Sequence, residues 1–382
     1  MAVSRYGDID VVQDYGADPT WAAYSDTAFA SAIAALAPGQ VLGIPPGLYK
    51  TSAPIILPPY RGMTGARGTP QVSSWSEYGS VIKPGPYWQQ GSAPLNAVIL
   101  MVSQADGGYS GTSEEQHLDG LLVSGSALPA GQVVHGIASY NTVNRVQMSR
   151  VHVARVTGSG IYQDWTMSQP DAWTCDRVFS RYNGGYGFRV RSADSNWTKC
   201  LTTNSGLDGW SLDTCVNNQF AGCRSEWSGG NGYHYVCHNN GTGSGSIMFA
   251  GCSTDRSSFN GFIADGSGGA SVPLLLSGCS FRRDGAAGGT QYAALAVMGY
   301  PATVTATGCL SFPGVNDDGT GLLTPYYGVS LMSGCRLQAA GDYWQGNQHA
   351  WALDGTSVVA YNANSVTWAR GTTSAPVIVA GP

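Results

Sequence analysis

Seven of the nine cysteines in this 382-residue chain recur at a nearly constant interval. The steps between them are 25, 23, 29, 27, 30 and 26 residues, and the seven are Cys175, Cys200, Cys223, Cys252, Cys279, Cys309 and Cys335. A period of roughly 20 to 50 residues is typical of stacked supersecondary units that bury their apolar faces against one another. The interval therefore predicts a solenoid in which the cysteines form an inward stack of small apolar side chains.

The residues around each cysteine indicate which kind of solenoid this is. A Gly-aromatic pair follows three of the cysteines at the same offset, as Gly209-Trp210, Gly232-Tyr233 and Gly261-Phe262. Asp208, Asn231 or Asn260 precedes each pair, a side chain that suits a tight turn and can form a ladder between coils. The following residues alternate as in strands, and no helical period of the leucine-rich or ankyrin type is present. Two short strands and their turns in about 25 residues describe one coil of a parallel β-solenoid.

Weaker copies of the repeat at 147–152 and 117–123 extend the array towards the N-terminus. We expect one domain with three parts. Residues 1–60 form an N-terminal cap and the first strands, residues 61–340 form the β-helix coils, and residues 341–382 form a C-terminal cap or short strands. A solenoid needs such caps because its end units would otherwise expose their apolar faces.

Composition narrows the class of partner. Charged residues make up 11% of the chain and the formal net charge is −5, without a Lys/Arg cluster of the kind that binds nucleic acid. No apolar run is long enough to span a membrane, and the N-terminus has no signal-peptide pattern. The odd number of cysteines without zinc-type spacing favours free buried thiols over disulfides. We expect no cofactor and no metal.

The first 60 residues contain a second set of motifs: Asp14-Tyr-Gly-Ala-Asp18, Asp26-Thr-Ala-Phe29 and Pro45-Pro-Gly-Leu-Tyr49. This order resembles the opening of the pectate-lyase-like superfamily, which includes phage tailspike depolymerases. The resemblance implies a right-handed parallel β-helix, a capping helix near 26–37 with Phe29, Ile33 and Leu36 on one stripe, a polysaccharide substrate and a homotrimer. The chain departs from the pattern at Trp21-Ala-Ala, where the family usually has glycine and polar residues.

The chemistry is expected on an outward face of the solenoid. If the cysteines point inward, the residues three positions later point outward, which makes Glu226 and Asp255 neighbours on adjacent coils about 4.8 Å apart. Two stacked carboxylates suit glycoside hydrolysis, because their repulsion favours protonation of one of them. Catalytic candidates are Glu226, Asp255 and Asp213, and candidates for substrate binding are Trp227, Arg224, Arg256, His234, Arg282 and Asp265.

Other interpretations stay open at this point. The same Glu/Asp/Arg cluster could be an ion-pair ladder that ties the coils together, or the site could lie elsewhere, for example at Asp164-Trp165. Tyr162, Tyr182 and Trp165 are further candidate sugar platforms. The predicted function is a glycoside hydrolase that depolymerises a bacterial surface or plant-type polysaccharide, as part of a phage tail or as a secreted protein. The alternatives are a lyase of the same fold and a non-catalytic glycan-binding or structural tail protein.

Overall fold

The structure is a computed structural model of the chain. It describes residues 7–67, 69–70, 77–103, 115–164, 169–238, 246–268, 273–299, 303–315, 319, 324–354, 356–361, 367–369 and 378–380. The chain divides into two compact units, Met1–Arg191 and Ser192–Pro382, called here unit 1 and unit 2.

Each unit is built from three parallel β-sheets, called sheets 1, 2 and 3 in the order in which a coil of the chain visits them. Successive strands of a sheet come from successive coils and pair in register, for example Glu226 with Asp255. Short strands with one side chain inward and the next outward follow from the alternation and turn residues of the sequence. This arrangement is a right-handed parallel β-helix, and it confirms the predicted fold class.

The strands of unit 1 are grouped here by sheet. Sheet 1 contains Ile9–Asp10, Val41–Ile44, Gly62–Gly65, His117–Asp119, Gln147–Ser149 and Thr174–Asp176. Sheet 2 contains Thr20–Tyr24, Gly47–Thr51, Ser80–Pro84, Leu121–Ser124, His152–Ala154 and Phe179–Arg181. Sheet 3 contains Ile55–Leu57, Ala97–Val102, His135–Tyr140, Ile161–Gln163 and Phe188–Val190. A small antiparallel pair is formed by Thr69–Pro70 and Glu77–Tyr78.

The strands of unit 2 follow the same scheme. Sheet 1 contains Asn196–Thr198, Gln219–Ala221, Ile247–Ala250, Leu274–Ser277, Thr303–Thr307, Arg336–Ala340, Val358–Tyr361 and Ile378–Ala380. Sheet 2 contains Leu201–Thr203, Arg224–Glu226, Ser253–Asp255, Ser280–Arg282, Leu310–Phe312, Tyr343–Gln345 and Thr367–Ala369. Sheet 3 contains Trp210–Asp213, Tyr233–His238, Phe262–Gly268, Ala293–Met298, Tyr327–Leu331 and His349–Leu353.

The cysteine interval is only partly a structural repeat. Five cysteines of unit 2 share one inward column. From one coil to the next, the residue after a cysteine donates its backbone N–H to the carbonyl of the cysteine in the coil before it, as Arg224 does to Cys200 at 2.9 Å. These five are Cys200, Cys223, Cys252, Cys279 and Cys309. Cys175 instead pairs with Met148 in sheet 1 of unit 1, and Cys335 directly precedes the sheet 1 strand Arg336–Ala340.

The prediction that all seven cysteines are equivalent is therefore wrong for Cys175 and Cys335. Turn lengths differ between coils, so an interval of 25 or 26 residues does not by itself assign a column. The expected free thiols are confirmed for the eight cysteines whose side chains the structure describes, and all eight are buried.

Inside unit 2 the core is a set of aromatic stacks along the sheets. Phe220 and Phe249 stack with ring centroids 4.6 Å apart, and Tyr233 stacks on Trp210 and Phe262, each at 5.8 Å. Trp210, Tyr233 and Phe262 are the Gly-aromatic positions of the repeat, and all five rings are almost fully buried. Rings stacked this way add about 0.5–1.5 kcal/mol each beyond their area burial.

The only helix in the described part of the chain is Asp26–Ala35, two residues shorter than expected at its end. Phe29, Ile33 and Leu36 are buried as predicted, and the helix packs on the strand Ile55–Leu57. Its role as an end cap stays a prediction. This helix is too short and insufficiently apolar to cross a membrane.

Candidate functional site

The predicted carboxylate pair lies on the outward face of sheet 2 in unit 2. Glu226 and Asp255 are direct partners on adjacent strands, and Arg282 is the next residue in the same column. Their neighbours Ser225 and Thr254 point inward and are buried. The structure thus brings the two carboxylates together on adjacent strands, as the sequence pattern indicates.

Each carboxylate of this pair has its own guanidinium partner. Arg224 donates to Glu226, and Arg283 binds Asp255 with both ends of its fork, with Nε 2.8 Å from Oδ1. The Arg283–Asp255 pair is largely buried, with side-chain exposures of 13% and 14%, whereas Arg224 is 57% exposed. The guanidinium groups offset the carboxylate repulsion on which the predicted acid–base pair depends.

The turn after this strand forms a platform with a shallow depression. Trp227 and Arg256 both occupy the left-handed backbone region, with φ of 48° and 60°. The guanidinium carbon of Arg256 lies 5.2 Å from the centroid of the Trp227 indole, which is 39% exposed. The depression has a volume of about 370 Å³ and is lined by Asn204, Ser205, Trp227, Ser228, Gly229, Arg256, Ser258 and Ala286. An exposed indole beside a cation is a surface on which a sugar ring can stack.

A different arrangement occupies the outward face of sheet 3 in the same unit. His234 lies between two carboxylates: its Nδ1 is 3.1 Å from Asp208 Oδ2, and its Nε2 is 3.8 Å from Asp265 Oδ2. The second distance is that of an ion pair rather than a hydrogen bond. The His234 and Asp265 side chains are 26% and 25% exposed, although the Nε2 atom of His234 is itself buried.

The position of Asp208 is set by a polar ladder in the turns. Its Oδ1 accepts hydrogen bonds from the backbone N–H and the side-chain amide of Asn231, at 2.6 and 3.0 Å. Asn231 accepts in the same way from Asn260, whose side chain accepts from Ala293 N–H. The ladder predicted for Asp208, Asn231 and Asn260 is confirmed by these hydrogen bonds. The sequence pattern does not predict the contact of Asp208 with His234, and the one available signal is the aspartate at a ladder position where the next two coils have asparagine.

The surroundings of His234 change its protonation. Burial acts to lower its pKa, but the hydrogen bond and charge of Asp208, with the charge of Asp265, outweigh burial, and the pKa of His234 is raised above its ordinary value. The imidazole thus lies between two carboxylates that favour its protonated form and hold it in a fixed orientation.

Asp213 completes this face. Asp213 and Asp265 both pair with Val236, one from each side, so the two aspartates occupy one outward column two coils apart. Two coil spacings amount to about 9.6 Å. This is near the upper end of the range of roughly 6.5–9.5 Å for carboxyl groups in inverting glycosidases. The Thr214 hydroxyl donates to Asp213 Oδ1 at 2.9 Å.

A buried acid, Asp284, follows the sheet 2 strand Ser280–Arg282 and is not predicted from the sequence. Asp284, which follows Arg283, is fully buried and accepts hydrogen bonds from the Thr254 hydroxyl at 2.6 Å and the Ser257 N–H at 3.0 Å. Burial raises the pKa of Asp284 to about 7. The available signal is an aspartate at a turn position where the two preceding coils have serine, Ser228 and Ser257.

The remaining candidates belong to unit 1. Tyr162 accepts a hydrogen bond from Arg189 at 2.9 Å and stacks on His135 with centroids 4.1 Å apart. Tyr182 is 37% exposed, and Trp165 lies outside the described residues. Within the described ranges, no group of three or more His, Cys, Asp or Glu side chains is placed to hold a metal ion.

Solved structures share this fold at low sequence identity. The A-module of mannuronan C-5 epimerase AlgE6 from Azotobacter vinelandii matches with a TM-score of 0.65 and 16% identity, covering 98% of this chain and 98% of that one. The enzymatically active domain of tailspike protein 2 from bacteriophage CBA120 matches with a TM-score of 0.65 and 14% identity, covering 93% of this chain and 52% of that one.

The catalytic unit of a GH87 α-1,3-glucanase from Streptomyces thermodiastaticus matches with a TM-score of 0.52 and 16% identity, covering 93% of this chain and 70% of that one. No family model matches the sequence. At these identities the likeness shows the fold alone: the chain is a right-handed parallel β-helix protein, as the N-terminal motifs implied.

Proposed function

We propose that this chain is a polysaccharide-degrading glycoside hydrolase whose acid–base centre lies on the outward face of sheet 3 in unit 2. The observation that carries the proposal is His234 between Asp208 and Asp265, with Asp213 in the same outward column. The polysaccharide substrate is supported by the fold, because the similar structures include a tailspike enzymatic domain and a glucanase.

The arrangement supports hydrolysis with inversion. Asp265 acts as the base that activates water, because its side chain is 25% exposed on the outward face and lies beside the His234 imidazole. Asp213 acts as the acid that protonates the leaving oxygen from the other side of the bond. Asp208 is a positioning residue that orients His234. We assign Trp227, Arg256 and Arg282 to substrate contact. We assign Glu226 and Asp255 to substrate contact rather than proton transfer, because each of these two carboxylates is already paired with an arginine.

The test is incubation with a panel of bacterial capsular and plant polysaccharides, with reducing ends and the absorbance of unsaturated sugars measured together. We expect new reducing ends without absorbance. Asp265→Asn and Asp213→Asn should each lower the rate by about 10²–10⁴-fold, as expected for loss of a general acid or base. Glu226→Gln is the comparison on sheet 2: as a substrate contact it should raise KM while kcat stays near that of the unaltered chain.

Loss of activity in Glu226→Gln with full activity in Asp265→Asn would move the centre to sheet 2. Unsaturated products would identify a lyase. The exposed Trp227 beside Arg256 favours one second candidate, a β-helix that binds glycan without cleaving it. That candidate predicts binding and no product across the whole panel. We also propose that the protein is a homotrimer and belongs to a phage tail or is secreted. Analytical sedimentation would measure its oligomeric state.

A further inference from the structure

The chain contains only three lysines, and two of them are neighbours. Lys50 and Lys83 are direct partners on adjacent strands of sheet 2 in unit 1, about 4.8 Å apart along the sheet. Like charges at directly opposed positions of a sheet repel each other. The third lysine, Lys199, lies in unit 2, so this pairing is a local feature rather than a general surface pattern.

Both ammonium groups lie against the same indole. Lys50 Nζ is 5.3 Å and Lys83 Nζ is 5.2 Å from the Trp21 ring, and Lys50 is also 4.5 Å from the Tyr24 ring. Lys83 has a carboxylate partner, Glu77, at 3.1 Å. In the described ranges no carboxylate pairs with Lys50, so its charge rests on the aromatic faces alone.

The backbone that carries the indole is strained. Trp21 has φ of 69°, which is uncommon and costly for a bulky side chain. The Asp18 carboxylate holds this bend by accepting from the N–H groups of Thr20 and Ala23, and the strand register is irregular there. A Cβ at Gly85 would lie 2.7 Å from the Tyr24 hydroxyl, so the glycine makes room for this ring.

We propose that Trp21, Tyr24, Lys50 and Lys83 form a binding site for a carboxylate-bearing saccharide. The Lys50 ammonium group takes the sugar carboxylate, Lys83 adds its positive charge from its pair with Glu77, and the aromatic side chains pack against the apolar face of the sugar ring. Tyr24 is 38% exposed, and Trp21 and Lys50 are half-buried, so the cluster is accessible. The site is independent of hydrolysis, because none of its residues belongs to the proposed acid–base centre.

The experiment is calorimetric titration of the whole chain with oligomers of galacturonate, glucuronate and mannuronate. The same oligomers with their carboxyl groups reduced to alcohols are the neutral probes, and inorganic sulfate is the small-anion probe. We expect at least one acidic oligomer to bind, and Lys50→Met to weaken it on the order of tenfold. Lys199→Met, with the same charge change in unit 2, should bind as the unaltered chain does.

Trp21→Gly provides the second variant. Glycine accepts the positive φ without strain, so we expect this variant to lose binding on the order of tenfold while its melting temperature stays equal or rises. Circular dichroism confirms that each variant is folded at the titration temperature. The proposal is overturned if the reduced oligomers bind equally well, if sulfate alone saturates the site with the same affinity, or if Lys50→Met and Trp21→Gly both bind normally. Each result is read without any cleavage assay, so failure here and failure of the hydrolase proposal are distinguishable.

Discussion

Two outward faces of unit 2 combine carboxylates with cations in different ratios. On sheet 2, Glu226 and Asp255 each have a dedicated arginine, Arg224 and Arg283. On sheet 3, two carboxylates, Asp208 and Asp265, share the single imidazole of His234. The first face pairs each carboxylate with a guanidinium, whereas the second contains an imidazole whose pKa is raised by its carboxylate neighbours. The number and kind of cations, rather than the presence of paired acids, decide which face can move protons.

The largest effect is expected when a cation is removed from the sheet 2 face. Arg283→Met should destabilise the protein by about 3–5 kcal/mol, because it leaves the buried Asp255 carboxylate without its charge partner. Arg224→Met is the matched control, since Arg224 is 57% exposed and its loss should cost at most about 1 kcal/mol. Denaturant unfolding of both variants measures the difference, and equal costs would contradict the distinction between these two pairs.

The corresponding change on the sheet 3 face should affect the rate rather than stability. If the proposed centre is right, His234→Gln should lower polysaccharide hydrolysis by about 10²-fold or more, because the imidazole that lies beside the proposed base Asp265 is lost. Its melting temperature should change far less than that of Arg283→Met. Reducing-end release under saturating substrate measures the effect. A fully active His234→Gln enzyme would show that this histidine only ties Asp208 to the sheet.

The charge balance around His234 can be measured directly. Since Asp208 and Asp265 raise the pKa of His234, Asp208→Asn should lower this pKa. The limb of the pH–rate profile that reports His234 should move in the same direction. Nuclear magnetic resonance titration of the imidazole provides the value. His135 of unit 1 is an internal reference, because burial, with the charge of Arg189, lowers its pKa to about 4. Similar titration of the two histidines would refute the role assigned to the carboxylates.

A smaller effect is expected beneath the sheet 2 face, at Asp284. Its folded pKa of about 7 lies above the ordinary value of 3.8, so the folded protein holds a proton that the unfolded chain releases. The stability linked to this group is therefore fully present below about pH 4 and decreases as the pH rises towards 7. Asp284→Asn should remove this slope. The measurement is the unfolding free energy across that pH range, with Asp255 and Arg283 intact. If Asp284 does not titrate there, the Asp284→Asn variant and the unaltered chain will show the same slope.

Several elements of the fold could be predicted because their signals are local. The Gly-aromatic pairs, the buried stripe of Phe29, Ile33 and Leu36, and the adjacency of Glu226 and Asp255 all follow from alternation and turn residues. The equivalence of Cys175 with the unit 2 cysteines was wrong because turn lengths vary from coil to coil, and an interval cannot distinguish neighbouring columns. The ladder residue Asp208 was overlooked as a site residue for a related reason: its partner His234 lies 26 residues later in the chain.

The sequence alone therefore determined the β-helix, its inward cysteine and aromatic stacks, and the outward column that contains Glu226, Asp255 and Arg282. A strand period and a turn residue are properties of neighbouring positions, and these can be detected in any single coil. Only the tertiary structure decided that Arg283 binds Asp255, that Asp208 and Asp265 flank His234, and that Lys50 and Lys83 share one indole. These contacts join separate coils, so they depend on the length and path of every turn between them.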